Sequence, residues 1–413
     1  MLAILIAGII ISFFACWTIG ANDAANAMGT SVGSKALTFK RAVIIGGIFE
    51  FLGAVLVGSK VTDTISKGII DSQLLSVDAN QIMYAMFAAL LTTGFFLLLA
   101  TKWGIPVSTT HAIVGSMAGV GIAFGGFAVV HWTVLSTIAL SWVVSPIVGG
   151  LIAYGLMRLI KTQIVYHEHA DQRMYTLTPY LVSMVTFVLF LSIVFKGLKN
   201  LHLDFSLGEA TIVAAILSLI IGVAIYAALG FKLKGKEKEG KPGLNVLRTF
   251  GYLQILTAAY VAFAHGANDV ANGIGPLAAM VDVYQHGAIS EQVGVPFWVL
   301  LIGGTGIFLG LAMYGKNVIK TLGKGITEIT PMRGFAAEFA AATTVLFASQ
   351  LGMPISTTHT IVGAIIGVGL ASKKKEILNN KLLSKTFITW IVQIPIVAVV
   401  AGIIFTLMKT VLA

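Results

Sequence analysis

Gly20-Ala21-Asn22-Asp23-Ala24-Ala25-Asn26-Ala27-Met28-Gly29 closes an apolar N-terminal run and sets one Asp and two Asn where a membrane helix is ordinarily apolar. The chain carries the element a second time, as Gly266-Ala267-Asn268-Asp269-Val270-Ala271-Asn272-Gly273-Ile274-Gly275, again beside an apolar run. Polar, Gly-rich interruptions at corresponding places of two halves are how membrane transport proteins mark a substrate site.

The rest of the composition agrees with a membrane setting. The 413 residues are 57% hydrophobic and 11% charged, whereas soluble domains average about 25% charged. Apolar runs of about 17 residues or more recur, each long enough to cross roughly 30 Å of hydrocarbon as a helix. The fold class is therefore an all-α polytopic membrane protein of about 12 membrane segments. Expected crossings are 1–20, 43–58, 82–100, 107–127, 133–157, 174–195, 210–229, 249–264, 296–315, 334–351, 355–371 and 386–411. Met1-Leu2-Ala3-Ile4-Leu5 lacks the basic start of a signal peptide and reads as part of the first crossing. The one cysteine, Cys16, excludes an internal disulfide framework or a thiolate metal cluster and reads as a buried thiol.

Basic residues fall in alternate gaps, around Lys35 to Arg41, Arg158 to Arg173, Lys232 to Arg248, Lys316 to Arg333 and Lys373 to Lys385. These clusters share one side if the N-terminus is outside, which makes that side cytoplasmic; Lys60, Lys67, Lys196 and Lys199 are the exceptions. The net charge of +10 then reflects membrane orientation and calls for no nucleic-acid partner.

Two further blocks repeat. Gly53 through Ile69 resembles Gly310 through Ile326, and Gly104-Ile105-Pro106-Val107-Ser108-Thr109-Thr110-His111 matches Gly352-Met353-Pro354-Ile355-Ser356-Thr357-Thr358-His359. An odd number of expected crossings precedes the second copy, so the halves have inverted topology, the arrangement used for alternating access. The parity is unchanged if the segments around Pro106 and Pro354 are re-entrant hairpins. The expected organisation is a first repeat at 1–160, connecting membrane helices at 161–229, a charged cytoplasmic linker at 230–248 and a second repeat at 249–413.

Pro106 and Pro354 disfavour helix at the preceding residue, so the chain should break there and restart at the hydroxyl triplet. The first turn of the new helix offers unpaired N–H groups, hydroxyls and a positive dipole end, which together suit an oxyanion. Ser108, Thr109, Thr110, Ser356, Thr357 and Thr358, with Asn22 and Asn268, are the candidate anion ligands. Asp23 and Asp269 would repel an anion, and neither core contains Lys or Arg. A bound cation or protonation resolves this, so Asp23, Asn26, Asp269 and Asn272 are candidate ligands for a co-transported Na⁺, a hard cation suited to oxygen donors. A structural Asp–Asn hydrogen-bond network is the alternative.

Glu50 and Glu338 also stand in apolar surroundings and are not repeat equivalents; Glu50 aligns with Ile307, and Glu338 with about Leu90. They are candidates for coupling or gating, with a buried structural Glu as the alternative. His111 and His359 follow the triplets and read as either titrating or structural groups. No nucleotide-binding, zinc-protease or nucleophile-elbow motif occurs, and two equivalent polar elements suit binding better than catalysis, so the chain is not expected to be an enzyme or to carry a cofactor.

The paired Gly-Ala-Asn-Asp-x-Ala-Asn elements at 20–26 and 266–272 and Pro-x-Ser-Thr-Thr-His elements at 106–111 and 354–359 resemble those of the inorganic phosphate transporter (PiT) family over both halves. The resemblance implies uptake of inorganic phosphate coupled to Na⁺ or H⁺ by an inverted-repeat fold that often forms a homodimer. It makes Asp23, Asp269, Ser108 and Ser356 transport-critical and matches Glu50 and Glu338 to important intramembrane glutamates. The linker at 230–245 is shorter than the cytoplasmic loop of animal members. The expected function is a secondary symporter importing phosphate across a bacterial or archaeal plasma membrane; uptake of sulfate or another oxyanion, or a passive anion channel, are the alternatives.

Overall fold

The computed structural model describes residues 1–70, 79–195, 197, 203–238, 245–290, 294–316, 318–319, 329–372 and 380–412. Their regular structure is helical: α1 Leu2–Gly33, α2 Phe39–Val57, α3 Ser59–Lys67, α4 Ala79–Lys102, α5 Thr109–Gly125, α6 Trp132–Ile160, α7 Ala170–Phe195, α8 Leu207–Lys238, α9 Val246–His286, α10 Phe297–Tyr314, α11 Pro331–Gln350, α12 Thr357–Ala371 and α13 Asn380–Leu412. Helices suit hydrocarbon because each satisfies its own backbone groups.

Among the described helices, eight are long and apolar enough to cross a membrane, and α2 with α3, bent by 66° at Gly58, makes a ninth. The expectation of about 12 segments counted α5 and α12, which have only 17 and 15 residues, and α11, which falls outside the eight. The expected crossings at 1–20 and 249–264 stop too early. Helices α1 and α9 run unbroken through the Asn-Asp-x-x-Asn elements to Gly33 and His286. Ala24, Ala25, Ala27 and Ala271 keep those stretches helical between the polar residues. The expected linker at 230–248 is helical through Lys238 and from Val246; residues 239–244 lie outside the described residues, as does the end of the second repeat block at 320–328.

The chain does break at the proline elements. Helix α4 ends at Lys102, Gly104 takes φ +65°, and α5 restarts with Ser108 as N-cap. The second copy matches, with Gly352 at φ +70° and Ser356 as N-cap of α12. A left-handed residue is costly with a side chain, so glycine fits both turns. Helices α4 and α5 fold back on each other, with Thr93 Oγ1 donating to Ser116 Oγ at 3.3 Å.

Equivalent positions in the two halves make equivalent contacts. A Cβ on Gly20 would lie 2.0 Å from the carbonyl oxygen of Ile307, and one on Gly266 equally close to that of Glu50. This brings α1 against α10 and α9 against α2. Helix α5 packs on α13 and α12 on α6, where Cβ atoms on Gly119 and Gly367 would fall 2.0 and 2.1 Å from the carbonyls of Ala398 and Gly150. Small residues let such backbones approach where the lipid supplies no hydrophobic drive for association.

Candidate functional site

The two breaks meet. Thr110 Oγ1 donates to the Ile355 carbonyl at 3.0 Å, and its counterpart Thr358 Oγ1 donates to the Val107 carbonyl at 3.2 Å. Asn22 Nδ2 donates to the Ile105 carbonyl at 3.3 Å while its Oδ1 accepts from the Val107 N–H at 3.4 Å. Asn268 Nδ2 donates to the Ile355 carbonyl at 2.8 Å. These two amides therefore anchor the backbone of the breaks. Ser108 and Ser356 accept from the N–H of His111 and His359, each at 3.2 Å, and so cap their own helices.

Asp23 and Asp269 lie at the centre, both fully buried. Asp23 Oδ1 accepts from Asn26 Nδ2 at 2.6 Å, and its Oδ2 accepts from Thr109 Oγ1 at 2.9 Å. Asp269 Oδ1 accepts from Asn272 Nδ2 at 2.9 Å and from Thr109 Oγ1 at 3.2 Å. One hydroxyl thus lies within hydrogen-bond distance of both carboxylates. Asn26 Nδ2 also reaches Thr358 at 2.8 Å, and Asn272 Nδ2 reaches Thr110 at 3.3 Å, which ties each motif helix to the opposite half's break. The i, i+3 spacing of Asp and Asn places both on one helical face.

Burial leaves several of these atoms unmatched. Asn26 Oδ1, Asn272 Oδ1 and Thr357 Oγ1 have no hydrogen-bond partner, and Asp269 Oδ2 accepts no hydrogen bond and faces His265 Nε2 at 3.4 Å. Three of the four are pure acceptors, and unpaired buried acceptors suit a hard cation. The cavity beside Asn26, His265 and Thr357 holds about 10 Å³, about the space of one water and too little for a tetrahedral oxyanion. The site is closed in this conformation.

The structure supplies a basic partner that the motif cores lack. His265, one residue ahead of Gly266, sits with Nε2 3.4 Å from both Asp23 Oδ2 and Asp269 Oδ2, and with Nδ1 2.9 Å from Glu50 Oε1. Sequence reasoning missed it by stopping at the motif edge, although its i, i+4 relation to Asp269 on a helix was available. The ring joins Glu50 on α2 to both motif aspartates, and Asp23, His265 and Asp269 together could hold a metal ion. At the repeat-equivalent place the pair is Ile19 and Ile307, both fully buried. One half carries an ionisable pair where the other packs two isoleucines.

Glu338 lies in a separate cluster. Its Oε1 accepts from Thr30 and Ser31 at 2.5 Å and from Gln254 at 3.1 Å, and its Oε2 accepts from Thr257 at 2.6 Å. These donors tie α11 to the C-terminal part of α1 and the N-terminal part of α9. Its equivalent, Leu90, is buried and apolar. His111 and His359 point elsewhere: Nδ1 of each lies 3.1 Å from a backbone carbonyl, of Trp390 and Trp142 respectively. Cys16 is buried with a free thiol.

An all-helical membrane protein in which two equivalent motifs converge on a buried carboxylate pair defines a membrane transport protein. Comparison with known proteins gives the particular family. The chain belongs to the phosphate transporter family, whose model matches residues 19–401. It is 43% identical over 397 residues to a phosphate permease of Pyrococcus horikoshii, covering 96% of both chains. It is 39% identical to the chloroplastic inorganic phosphate transporter 2-1 of Arabidopsis thaliana, covering 96% of this chain and 71% of that one. A solved structure described as the sodium-dependent phosphate transporter superposes with a TM-score of 0.91 at 40% identity, covering 99% of this chain and 100% of the other. These relatives are permeases and transporters, and the chain is not an enzyme.

Proposed function

We propose that this protein is a Na⁺-coupled phosphate symporter that works by alternating access between two halves of inverted topology. The observation that carries the reading is the closed centre in which Asp23 and Asp269 share Thr109 and leave the acceptor oxygens of Asn26 and Asn272 unmatched. Na⁺ at these oxygens offsets two carboxylates that would otherwise exclude an anion. Phosphate then enters when the breaks part, releasing the hydroxyls of Ser108, Thr109, Thr110, Ser356, Thr357 and Thr358 and the helix N-termini behind them. Asn22 and Asn268 hold the two breaks in place as they move.

Reciprocal contacts between the halves support the inverted arrangement, and the sodium-dependent structural relative supports Na⁺. Glu50 couples the carboxylates to α2 through His265, and Glu338 gates by holding α1, α9 and α11 together. Proton coupling is the second reading, and the observation that favours it is His265, an imidazole in contact with three carboxylates. The same proposal places the protein in the plasma membrane with the N-terminus outside and the segment at 230–248 cytoplasmic, as a homodimer. Uptake of radiolabelled phosphate into proteoliposomes, under a Na⁺ gradient and then under an H⁺ gradient alone, tests it. Na⁺-driven accumulation that excess sulfate leaves unchanged is expected, and uptake indifferent to both gradients refutes symport.

A further inference from the structure

The two hydroxyl triplets are nearly identical in sequence, yet the helices behind them hold their first turns differently. The tight crossings of Gly119 on Ala398 and of Gly367 on Gly150 make Trp142 and Ser145 of α6 the equivalents of Trp390 and Gln393 of α13. One contact is common to both halves. His111 Nδ1 donates to the Trp390 carbonyl and His359 Nδ1 to the Trp142 carbonyl, each at 3.1 Å. A carbonyl only accepts, so Nδ1 carries the hydrogen in both rings.

The second contact is not common. In the first half Gln393 Nε2 donates to the Ser108 carbonyl at 3.0 Å. Gln393 is buried, and the amide end that faces a carbonyl has to be its NH₂ group. Gln393 and Trp390 are three residues apart on one face of α13, and they grip the N-cap Ser108 and the His111 that ends the first turn of α5. The two bonds therefore bracket Thr109 and Thr110. In the second half Ser145 stands at the Gln393 position, and its buried hydroxyl has no partner. The Ser356 carbonyl takes its extra bond from its own helix, from Thr360 Oγ1 at 2.8 Å. The equivalent of Thr360 is Ala112, which has no hydroxyl to offer Ser108. Gln393 with Ala112 and Ser145 with Thr360 are thus two ways of satisfying one carbonyl, and only the first ties the turn to the neighbouring helix.

One bond fixes a point of a turn and leaves it free to rotate there; a second bond at the other end of the turn fixes its direction as well. We propose that Gln393 is a positioning residue for the anion site. It sets the orientation of the first turn of α5, and with it the aim of the Thr109 and Thr110 hydroxyls. The second triplet, tied at His359 alone, turns as the breaks part. The inference rests on the phosphate reading given above. It makes two triplets that look equivalent in sequence unequal in duty: the first defines where phosphate sits, and the second closes on it. A binding group held from behind by hydrogen bonds loses less freedom when its ligand arrives, so the tie acts on phosphate affinity.

Gln393→Met keeps the length of the side chain and removes both the tie and the unmatched Oε1, while the Ser108 carbonyl retains the Ala112 N–H at 3.1 Å. The midpoint of unfolding by SDS in mixed micelles is therefore expected to stay close to that of the parent. In proteoliposomes the KM for phosphate should rise about fivefold, the worth of one net hydrogen bond, with maximal rate and Na⁺ dependence kept. Ser145→Ala should change none of these. Amide exchange of the full chain in micelles, read by mass spectrometry, needs no transport. In the parent, His359 and Thr360 should exchange about fivefold faster than His111 and Ala112, and Gln393→Met should erase that difference by raising exchange at His111 and Ala112. Equal exchange at the two turns of the parent overturns the proposal. So does a Gln393→Met protein whose KM for phosphate is unchanged or whose loss lies wholly in maximal rate. Phosphate uptake absent in the parent would sink the symport reading and this role together, whereas the preceding results sink the role alone.

Discussion

Replacing His265 by isoleucine removes the ring that faces Asp23, Asp269 and Glu50 within 3.4 Å and leaves three fully buried carboxylates without it. Breaking a buried pair by removing one partner costs about 3–5 kcal/mol, because the remaining charge is uncompensated. Glu50→Ile alone strands only Nδ1 of a ring that still faces two aspartates, and costs about 1–3 kcal/mol. The double variant recreates the Ile19–Ile307 pair that already packs fully buried at the equivalent place, with Gly20 against the Ile307 backbone just as Gly266 lies against that of Glu50. It also removes one of the stranded carboxylates. The two changes should therefore fall short of additivity by about 2 kcal/mol, well beyond the roughly 0.5 kcal/mol expected of independent sites. Unfolding titrated with SDS in mixed micelles, read by circular dichroism for all four proteins, measures the cycle. Additive losses refute the idea that Glu50 and His265 act as one unit in place of an apolar pair.

Asp23→Asn and Asp269→Asn should each abolish Na⁺-driven phosphate accumulation in proteoliposomes while the unfolding midpoint stays close to that of the parent; unchanged transport in both removes these carboxylates from coupling. Gly266→Ala puts a Cβ 2.0 Å from the Glu50 carbonyl, and should cost at least the roughly 1–3 kcal/mol of an overpacked core, read by the same SDS titration. Gly104→Ala forces a side chain into φ +65° and should cost about 1–2 kcal/mol. Glu338→Gln keeps one strong acceptor for Thr30, Ser31 and Gln254 but turns an amide donor toward Thr257 in place of the acceptor it had. Uptake is expected to fall about tenfold or more, and full activity would separate this cluster from gating.

Much of the centre was legible in the chain because its signals are local and doubled. Pro106 and Pro354 mark the breaks through backbone sterics, and the spacing of Asp23 and Asn26 needs only a helix to place both on one face. Whether that stretch was itself a break or a continuous helix was not legible, since glycine and asparagine are compatible with either until alanines and tertiary packing decide. His265 was hidden for a different reason. Its partners Asp23 and Glu50 come from α1 and α2, and the i, i+4 spacing to Asp269, the one local signal, does not reveal them. The Trp142 and Trp390 carbonyls that hold the motif histidines lie likewise outside the repeated blocks, so only the folded chain brings them together.

The near-contacts of Gly119 with Ala398 and of Gly367 with Gly150 have a mechanical consequence. Interlocked side chains must change rotamer before two helices can slide, which gives an interface discrete resting positions. Where glycine meets bare backbone there are no teeth to disengage, so at the Gly119 and Gly367 crossings α5 on α13 and α12 on α6 touch as plain bearings. Each bearing supports the helix that carries one hydroxyl triplet. A single methyl added at Gly119 or Gly367 would act as a wedge in the bearing, jamming one half while leaving the polar centre chemically intact.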